Sequence, residues 1–454
     1  MKTYQVINPY TGEAGTSHPA ASDEVVEQVV AAAHSEFDGG SGRDQVKERA
    51  AIVSRVADLL VERAAEFGDI IVREMGKPLA QAVGEVEFSA DIFRYFADNA
   101  EEFLADEQIH AGAGTAWIRK SPIGPVLGIM PWNFPIYQIA RFAGPNMVLG
   151  NPVVVKPAEQ CPESSAALES LIRDAGMPVG GYHNLLADND QIARLIDDPR
   201  IQGISLTGSE RAGSIVGAAA GASLKKSVLE LGGSDPFILM STDDMDATVE
   251  AAVAARLDNN GQACNGAKRF VLIDSLYEEF AEKFSAAMGA VTVGDPMDES
   301  TELGPLSSEA AAINLEAQVA EAVAAGATLR VGTGKRDGNK FAPAVLENIS
   351  PDNPAFSTEF FGPVAQLHRV SSEAEAIELA NATPFGLGSY VFTTDADQAD
   401  RIADGMNAGM VYINEVGADA PELPFGGVKN SGTGRELGAH GVDEFMNRKL
   451  VKRP

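Results

Sequence analysis

The chain has 454 residues, 45% hydrophobic and 22% charged, an ordinary balance for a folded globular protein. Its 65 Asp and Glu outnumber 35 Lys and Arg, giving a formal net charge of -30; this argues against nucleic acid as a partner, because phosphates are bound by basic patches. No apolar run approaches the ~18 residues of a membrane span, the first residues lack the apolar core of a signal peptide, and two distant cysteines form neither a CxxC pair nor a metal cluster. A reduced, cytoplasmic, metal-free protein without nucleic-acid or membrane partners is expected.

Such a length holds two or three cores, since single cores stop growing at roughly 250–300 residues. The acidic residues are dispersed, with no acidic tail. This fits either a plain soluble surface or one suited to a saline cytoplasm, where salt screens like-charge repulsion. On the saline reading, the melting temperature rises as KCl increases through the molar range. A flat or falling response in a thermal melt would exclude it.

In chain order, residues 44–66 predict a helix, because Ile52, Val53, Val56, Leu59 and Leu60 recur at three- and four-residue spacing. A second helix should close at Glu74-Met-Gly-Lys-Pro78, where Gly76 can turn left-handed and Pro78 blocks continuation. A charged amphipathic stretch follows to about Leu104. Short apolar strands at 126–130, 152–155 and 203–206 then alternate with helical patterns, and strands at 236–239 and 269–273 belong to a second such unit, with helices near 246–257 and 276–289. This alternation predicts α/β architecture with parallel sheets.

Cys264 lies in Asn259-Asn-Gly-Gln-Ala-Cys-Asn-Gly266, among small and polar residues. A structural cysteine is usually surrounded by bulky apolar residues, whereas a reactive one sits in a polar, partly open pocket. Glu230, in Val228-Leu-Glu-Leu-Gly-Gly233, stands in an apolar strand; burial raises a carboxyl pKa and suits a general base. The alternative is a buried carboxylate paired with Lys225 or Lys226. Cys161, at a helix start, is the rival thiol. Asn133 is either a turn residue or an amide held by its bulky neighbours. Gly208 and Ser209 open a helix directly after a strand, where backbone N–H groups can receive a pyrophosphate.

Six stretches occur in one order: Pro131-Trp-Asn-Phe-Pro135, Lys156-Pro-Ala-Glu159, Leu206-Thr-Gly-Ser209, Glu230-Leu-Gly-Gly233 with Gly-Gln-Ala-Cys264, Glu359-Phe-Phe-Gly-Pro363 and Pro424-Phe-Gly-Gly-Val-Lys429. Together they resemble the NAD(P)-dependent aldehyde dehydrogenase superfamily, and within it the bacterial succinate-semialdehyde dehydrogenases. The resemblance implies a Rossmann-like cofactor lobe (1–111 and 126–230), a catalytic lobe (231–435) and an extended oligomerisation arm (112–125 and 436–454), in a homodimer or homotetramer. It implies Cys264 as nucleophile, Asn133 and the Cys264 backbone N–H as oxyanion donors, and Glu230 as the base for thioester hydrolysis. Trp132, Lys156, Glu159, Gly208, Ser209, Glu359 and Phe361 would hold the dinucleotide, with Glu159 favouring NAD over NADP. Arg141, eight residues after Asn133 on one predicted helix, would clamp a substrate carboxylate. Asp419 stands where close relatives place a serine, and Glu415 replaces a more usual glycine. Succinate semialdehyde is therefore the expected substrate. The alternatives are an uncharged or amino aldehyde, an acylating enzyme releasing acyl-CoA, and a non-catalytic dinucleotide-binding protein.

Overall fold

The alternating pattern folds into two mainly parallel sheets in the computed structural model, which describes residues 3–40 and 42–454. The first has six strands in the order Gly432–Thr433, Lys226–Glu230, Gly203–Thr207, Val126–Ile129, Val153–Lys156 and Tyr182–Asn184. All pair in parallel except Gly432–Thr433. Its central strands are buried on both faces, so Val126–Ile129 and Val153–Lys156 read as short, mostly apolar runs, while Gly203–Thr207 sets the small residues Gly203 and Ser205 beside Ile204 and Leu206. The second sheet has seven strands, ordered Thr328–Val331, Ala344–Glu347, Val364–Val370, Ala267–Ile273, Asp235–Leu239, Tyr390–Phe392 and Tyr412–Ile413. Residues 231–234 alone carry the chain from Glu230, at the C-terminal end of a strand of the first sheet, to Asp235, at the N-terminal end of a strand of the second. Ligands of open α/β sheets bind beyond the carboxyl ends of the strands, and here the second lobe roofs that place.

Two local expectations change, while the helix end expected at Gly76 holds. The helix read over 44–66 is a short 3-10 turn, Arg43–Gln45, followed by Val46–Glu62, and a new helix starts at Ala64. Arg63 leaves helical geometry between them, and its guanidinium reaches Asp174 at 2.8 Å. The Ala64–Met75 helix stops at Gly76, whose φ of +82° is left-handed and whose missing side chain makes room for Pro305. At the C-terminus, Met446–Arg453 is extended and pairs along its length with Thr115–Pro122, which also pairs with Glu107–Ile109. Residues 436–444 are not extended: Gly438–Glu444 is a helix with Gly441 and Val442 buried, and Glu436 is buried against Arg141. Among the described residues no helix is long and apolar enough to cross a membrane, and no group of three or more His, Cys, Asp or Glu side chains is placed to hold a metal ion.

Candidate active site

Cys264 follows a backbone turn that few sequences could make. Asn259, Asn260 and Gly261 take φ values of +54°, +58° and +73°, and asparagine is one of the few side-chain-bearing residues that enters this region readily. Each Asn side chain then pins the loop from outside. Asn259 Nδ2 donates to the Asn133 carbonyl at 2.8 Å. Asn260 Nδ2 donates to the carbonyls of Gly76 and Pro305, at 3.0 and 2.9 Å, while its Oδ1 accepts from Gly304 N at 2.8 Å. A Cβ on Gly261 would lie 2.5 Å from the Gly362 carbonyl carbon.

The half-buried Cys264 stands between two cavities and lines both. The first, about 320 Å³, is walled by Trp132, Asn133, Gly208, Ser209, Glu359 and Phe361, with Thr207 and Gly232 beside them. The second, about 330 Å³, is walled by Phe134, Tyr137, Arg141, Asn265, Asp419 and Phe425 among others. Burial pushes the thiol up to about 12, opposed by the nearby cations Arg141 and Lys268. Cys161 is 1% exposed, its Sγ faces the Trp132 carbonyl, and burial raises its thiol strongly. Its position at a helix start therefore does not make it the accessible thiol.

Glu230 ends its strand, 1% exposed, and neither carboxylate oxygen has a hydrogen-bond partner among the described residues. Burial drives its pKa well above the usual carboxylate range, Arg141 and Arg435 pull it down, and Glu436 pushes it up. Pairing with Lys225 or Lys226 is excluded: Lys225 Nζ reaches the Asp198 carbonyl, and Lys226 pairs with Glu444 at 2.7 Å. The glycines of both nearby motifs serve close approach. A Cβ on Gly426 would lie 2.7 Å from Glu230 Oε1, one on Gly232 would lie 2.6 Å from Glu359 Oε2, and one on Gly233 would lie 2.4 Å from the Cys264 carbonyl oxygen. Glu230 itself is on the wall of neither cavity.

Asn133 is buried in the loop before the Tyr137–Leu149 helix, with Nδ2 donating to the Gln262 carbonyl at 3.0 Å. The expectation that it shares a helix face with Arg141 is corrected, because helical geometry begins only at Tyr137; the two residues serve different cavities. Arg141 is fully buried. Its Nε donates to Glu436 Oε2 at 2.7 Å and its Nη1 to the Tyr137 hydroxyl at 3.3 Å, with Phe425 stacked 4.1 Å away. Nη2 also lies 2.7 Å from Glu436 but is misaligned for a hydrogen bond, so a buried donor remains on the cavity wall. Asp419 neither pairs with Arg141 nor turns to solvent. Tyr412 Oη donates to Oδ1 at 2.7 Å and Asn265 Nδ2 to Oδ2 at 3.0 Å, which fixes the carboxylate in the wall. Glu415 is exposed and lines neither cavity.

Around the first cavity, Ser209 caps the Glu210–Ala222 helix, accepting from Ala212 N, and a Cβ on Gly208 would meet nothing within 4 Å. Trp132 and Phe361 meet edge to face at 5.7 Å. Glu359 Oε1 accepts from Gly233 N at 3.1 Å. Lys156 and Glu159 are not on this wall: Lys156 is buried with Nζ 5.5 Å from the Tyr4 ring, and Glu159 is exposed.

The profile of the aldehyde dehydrogenase family matches residues 1–451. The chain belongs to the aldehyde dehydrogenase family. It is 47% identical over 454 residues to a succinate-semialdehyde dehydrogenase [NADP(+)] of Deinococcus radiodurans, covering 99% of this chain and 95% of that one. It is 44% identical over 450 residues to succinate-semialdehyde dehydrogenase [NADP(+)] 1 of Mycobacterium tuberculosis, covering 98% of each. Its fold matches the crystal structure of succinic semialdehyde dehydrogenase from Streptococcus pyogenes in complex with NADP+, with a TM-score of 0.97 and 39% identity over 99% of this chain and 100% of that one.

The first cavity of this aldehyde dehydrogenase fits a dinucleotide. The helix N-terminus and the buried Thr207 Oγ1, unpartnered among the described residues, are donors suited to phosphate oxygens; Gly208, whose N–H is held by the Glu230 carbonyl at 2.9 Å, leaves open space beside them, and the pinned Glu359 suits ribose hydroxyls. Sequence reasoning missed the residues that hold this framework. Glu85, buried, accepts from Ile136 N and Tyr137 N at 2.8 and 3.1 Å and so caps the helix that carries Arg141. Lys77 Nζ reaches Glu85 at 2.6 Å and lies 3.9 Å from the Phe134 ring centre. Glu436, fixed to Arg141 and accepting from Ser205 Oγ at 3.1 Å, was missed as well. Each has a glycine or a charged residue as its direct neighbour, so nothing local in the sequence marks them.

Proposed function

We propose that the chain oxidises succinate semialdehyde to succinate, with NADP+ as acceptor and NAD+ as the second choice. The observation that carries this is the single accessible thiol between two cavities, one with a phosphate-suited helix end and one with a buried guanidinium on its wall. Cys264 attacks the aldehyde carbon once its proton has left. The second N–H of Asn133 Nδ2 and the Cys264 backbone N–H receive the oxyanion. Arg141 Nη2 takes the far carboxylate in a charge-assisted hydrogen bond. A nicotinamide held beside Trp132, Glu359 and Phe361 supplies the two-electron acceptor. Glu230 then takes a proton from the water that hydrolyses the thioester. Both Cys264 and Glu230 act deprotonated, and burial raises both. The active form is therefore lost as pH falls: kcat/KM rises with pH through the Cys264 thiol and kcat through Glu230.

NADP+ is placed first because the relatives named above carry it in their names. The expectation that Glu159 selects NAD yields to that. Steady-state assays of succinate semialdehyde and butanal with each dinucleotide test the whole reading; a preference for butanal would overturn the carboxylate clamp.

Asp419 favours the second reading, an uncharged or amino aldehyde, since its carboxylate shares a cavity wall with Arg141. Its repulsion of a substrate carboxylate across a partly wet cavity is about 1–2 kcal/mol. Asp419→Asn removes the charge and is expected to lower KM for succinate semialdehyde roughly five- to thirtyfold, leaving butanal unchanged. No change for either aldehyde would show that Asp419 does not face substrate. Arg141→Ala is the poorer test, because it strands Glu436 in the core at about 3–5 kcal/mol.

The chain is further proposed to act in the cytoplasm as a homodimer or homotetramer. The strand Met446–Arg453 is an edge of its sheet and carries the exposed Leu450, a natural pairing surface. The lobe boundary is proposed at 230–232, with 446–453 and 107–122 as the arm.

A further inference from the structure

Lys268 is the second residue of the strand Ala267–Ile273 and has no solvent exposure. Its Nζ donates to three carbonyls of one loop: Cys264 at 2.7 Å, Ala263 at 2.8 Å and Gly266 at 3.2 Å. Three acceptors match the three protons of an ammonium; a neutral amine has only two. The nearest counter-charge is Glu359 Oε1 at 3.4 Å, on the wall of the first cavity. A buried ammonium is costly unless paired and fully hydrogen-bonded, and an apolar residue of similar length would fill the same space. Here the charge lies directly behind the Cys264 carbonyl.

We propose that Lys268 is a positioning residue for Cys264: its ammonium fixes the three peptide carbonyls around the thiol and holds a positive charge behind it, balanced by Glu359. This rests on Cys264 being the nucleophile. With the Cys264 carbonyl tied back to Lys268, the loop cannot turn that oxygen into the site. Gly233 cooperates, because only a residue without Cβ leaves room for the carbonyl. Removing the positive charge disfavours the thiolate, and removing the Glu359 charge favours it; burial raises the thiol, Lys268 lowers it and Glu359 raises it. Lys268 thereby ties the two cavities together, since the carboxylate that suits ribose hydroxyls is also the partner of the ammonium behind the thiol.

The test is the rate of alkylation of Cys264 by iodoacetamide between pH 7 and 9, read by peptide mass spectrometry on the full chain, for wild type, Lys268→Met, Lys268→Arg and Glu359→Gln. Lys268→Met is expected to slow alkylation about tenfold at each pH, equivalent to about one pKa unit. Lys268→Arg, which keeps the charge, should recover most of that loss, and Glu359→Gln should speed alkylation severalfold. A role in packing alone would slow all three variants, and that result, or Met and Arg variants slowed alike, overturns the proposal. If Lys268→Met does not fold, Glu359→Gln decides: an unchanged or slower rate overturns it. If wild-type Cys264 reacts no faster than Cys161, the nucleophile reading falls and takes this inference with it. If Cys264 reacts but the variants do not differ, only the Lys268 inference falls.

Discussion

Cys264→Ala is expected to lower turnover by at least about 10⁴-fold, the scale of loss when the nucleophile of a covalent mechanism is removed. No other group can replace it. The second cysteine, Cys161, is 1% exposed and lies against the Trp132 carbonyl, on the wall of neither cavity. The loop around position 264 should survive the change, because it is held by Asn259, Asn260 and Lys268 rather than by the thiol. The first cavity keeps Trp132, Glu359 and Phe361, so dinucleotide affinity should stay within about twofold. The checks are a steady-state assay with succinate semialdehyde and a fluorescence titration with NADP+. Residual activity above a few per cent would show that Cys264 is not the nucleophile. Lost activity together with lost NADP+ binding would mean that the substitution had damaged the fold.

The features legible in the sequence were those written in local chemistry. The polar setting of Cys264 is visible because Asn259, Asn260 and Gly261 must enter left-handed geometry, which excludes bulky apolar residues there. The glycines after Glu230 and Phe425 stand out because only glycine lets Gly233 approach the Cys264 carbonyl and Gly426 approach Glu230. The parallel strands are legible because burial on both faces leaves short segments of apolar and small residues. What stayed hidden depends on partners far away in the chain. Arg141 reads as a free cation, yet it meets Glu436, 295 positions on. Asp419 reads only as a carboxylate in the place of a serine, but Tyr412 and Asn265 fix it in the cavity wall. Lys268 reads as an ordinary strand-edge lysine because its three acceptors are backbone carbonyls, which carry no sequence signature. The break at Arg63 has no glycine or proline to announce it; tertiary packing overrides helix propensity there. Residues 436–444 are expected to be extended only because the resemblance implies an extended arm over 436–454, whereas Gly438–Glu444 is a short helix and Glu436 pairs with Arg141.

Glu230→Gln should separate the two halves of the reaction. The glutamine is close to isosteric and neutral, so the burial that makes a carboxylate costly at this position does not oppose it. Neither carboxylate oxygen has a hydrogen bond to lose among the described residues. The nearby cations Arg141 and Arg435 lose a counter-charge, but Arg141 keeps Glu436 at 2.7 Å. Stability should therefore change little, and the effect should be kinetic. Attack by Cys264 and reduction of the acceptor can proceed without a base for water, whereas thioester hydrolysis cannot. Loss of a general base costs about 10²–10⁴-fold in the step that it serves. A stopped-flow trace with succinate semialdehyde and NADP+ should thus show a burst of reduced dinucleotide near one per site, then a steady state slowed by that factor. The pH dependence has a definite sign. Wild-type kcat should rise with pH, because the deprotonated Glu230 is the active form and burial places its titration above the usual carboxylate range; the variant's slow steady state should lose that rise. No burst, with the first turnover itself slowed, would mean that Glu230 acts on the Cys264 proton before it acts on water.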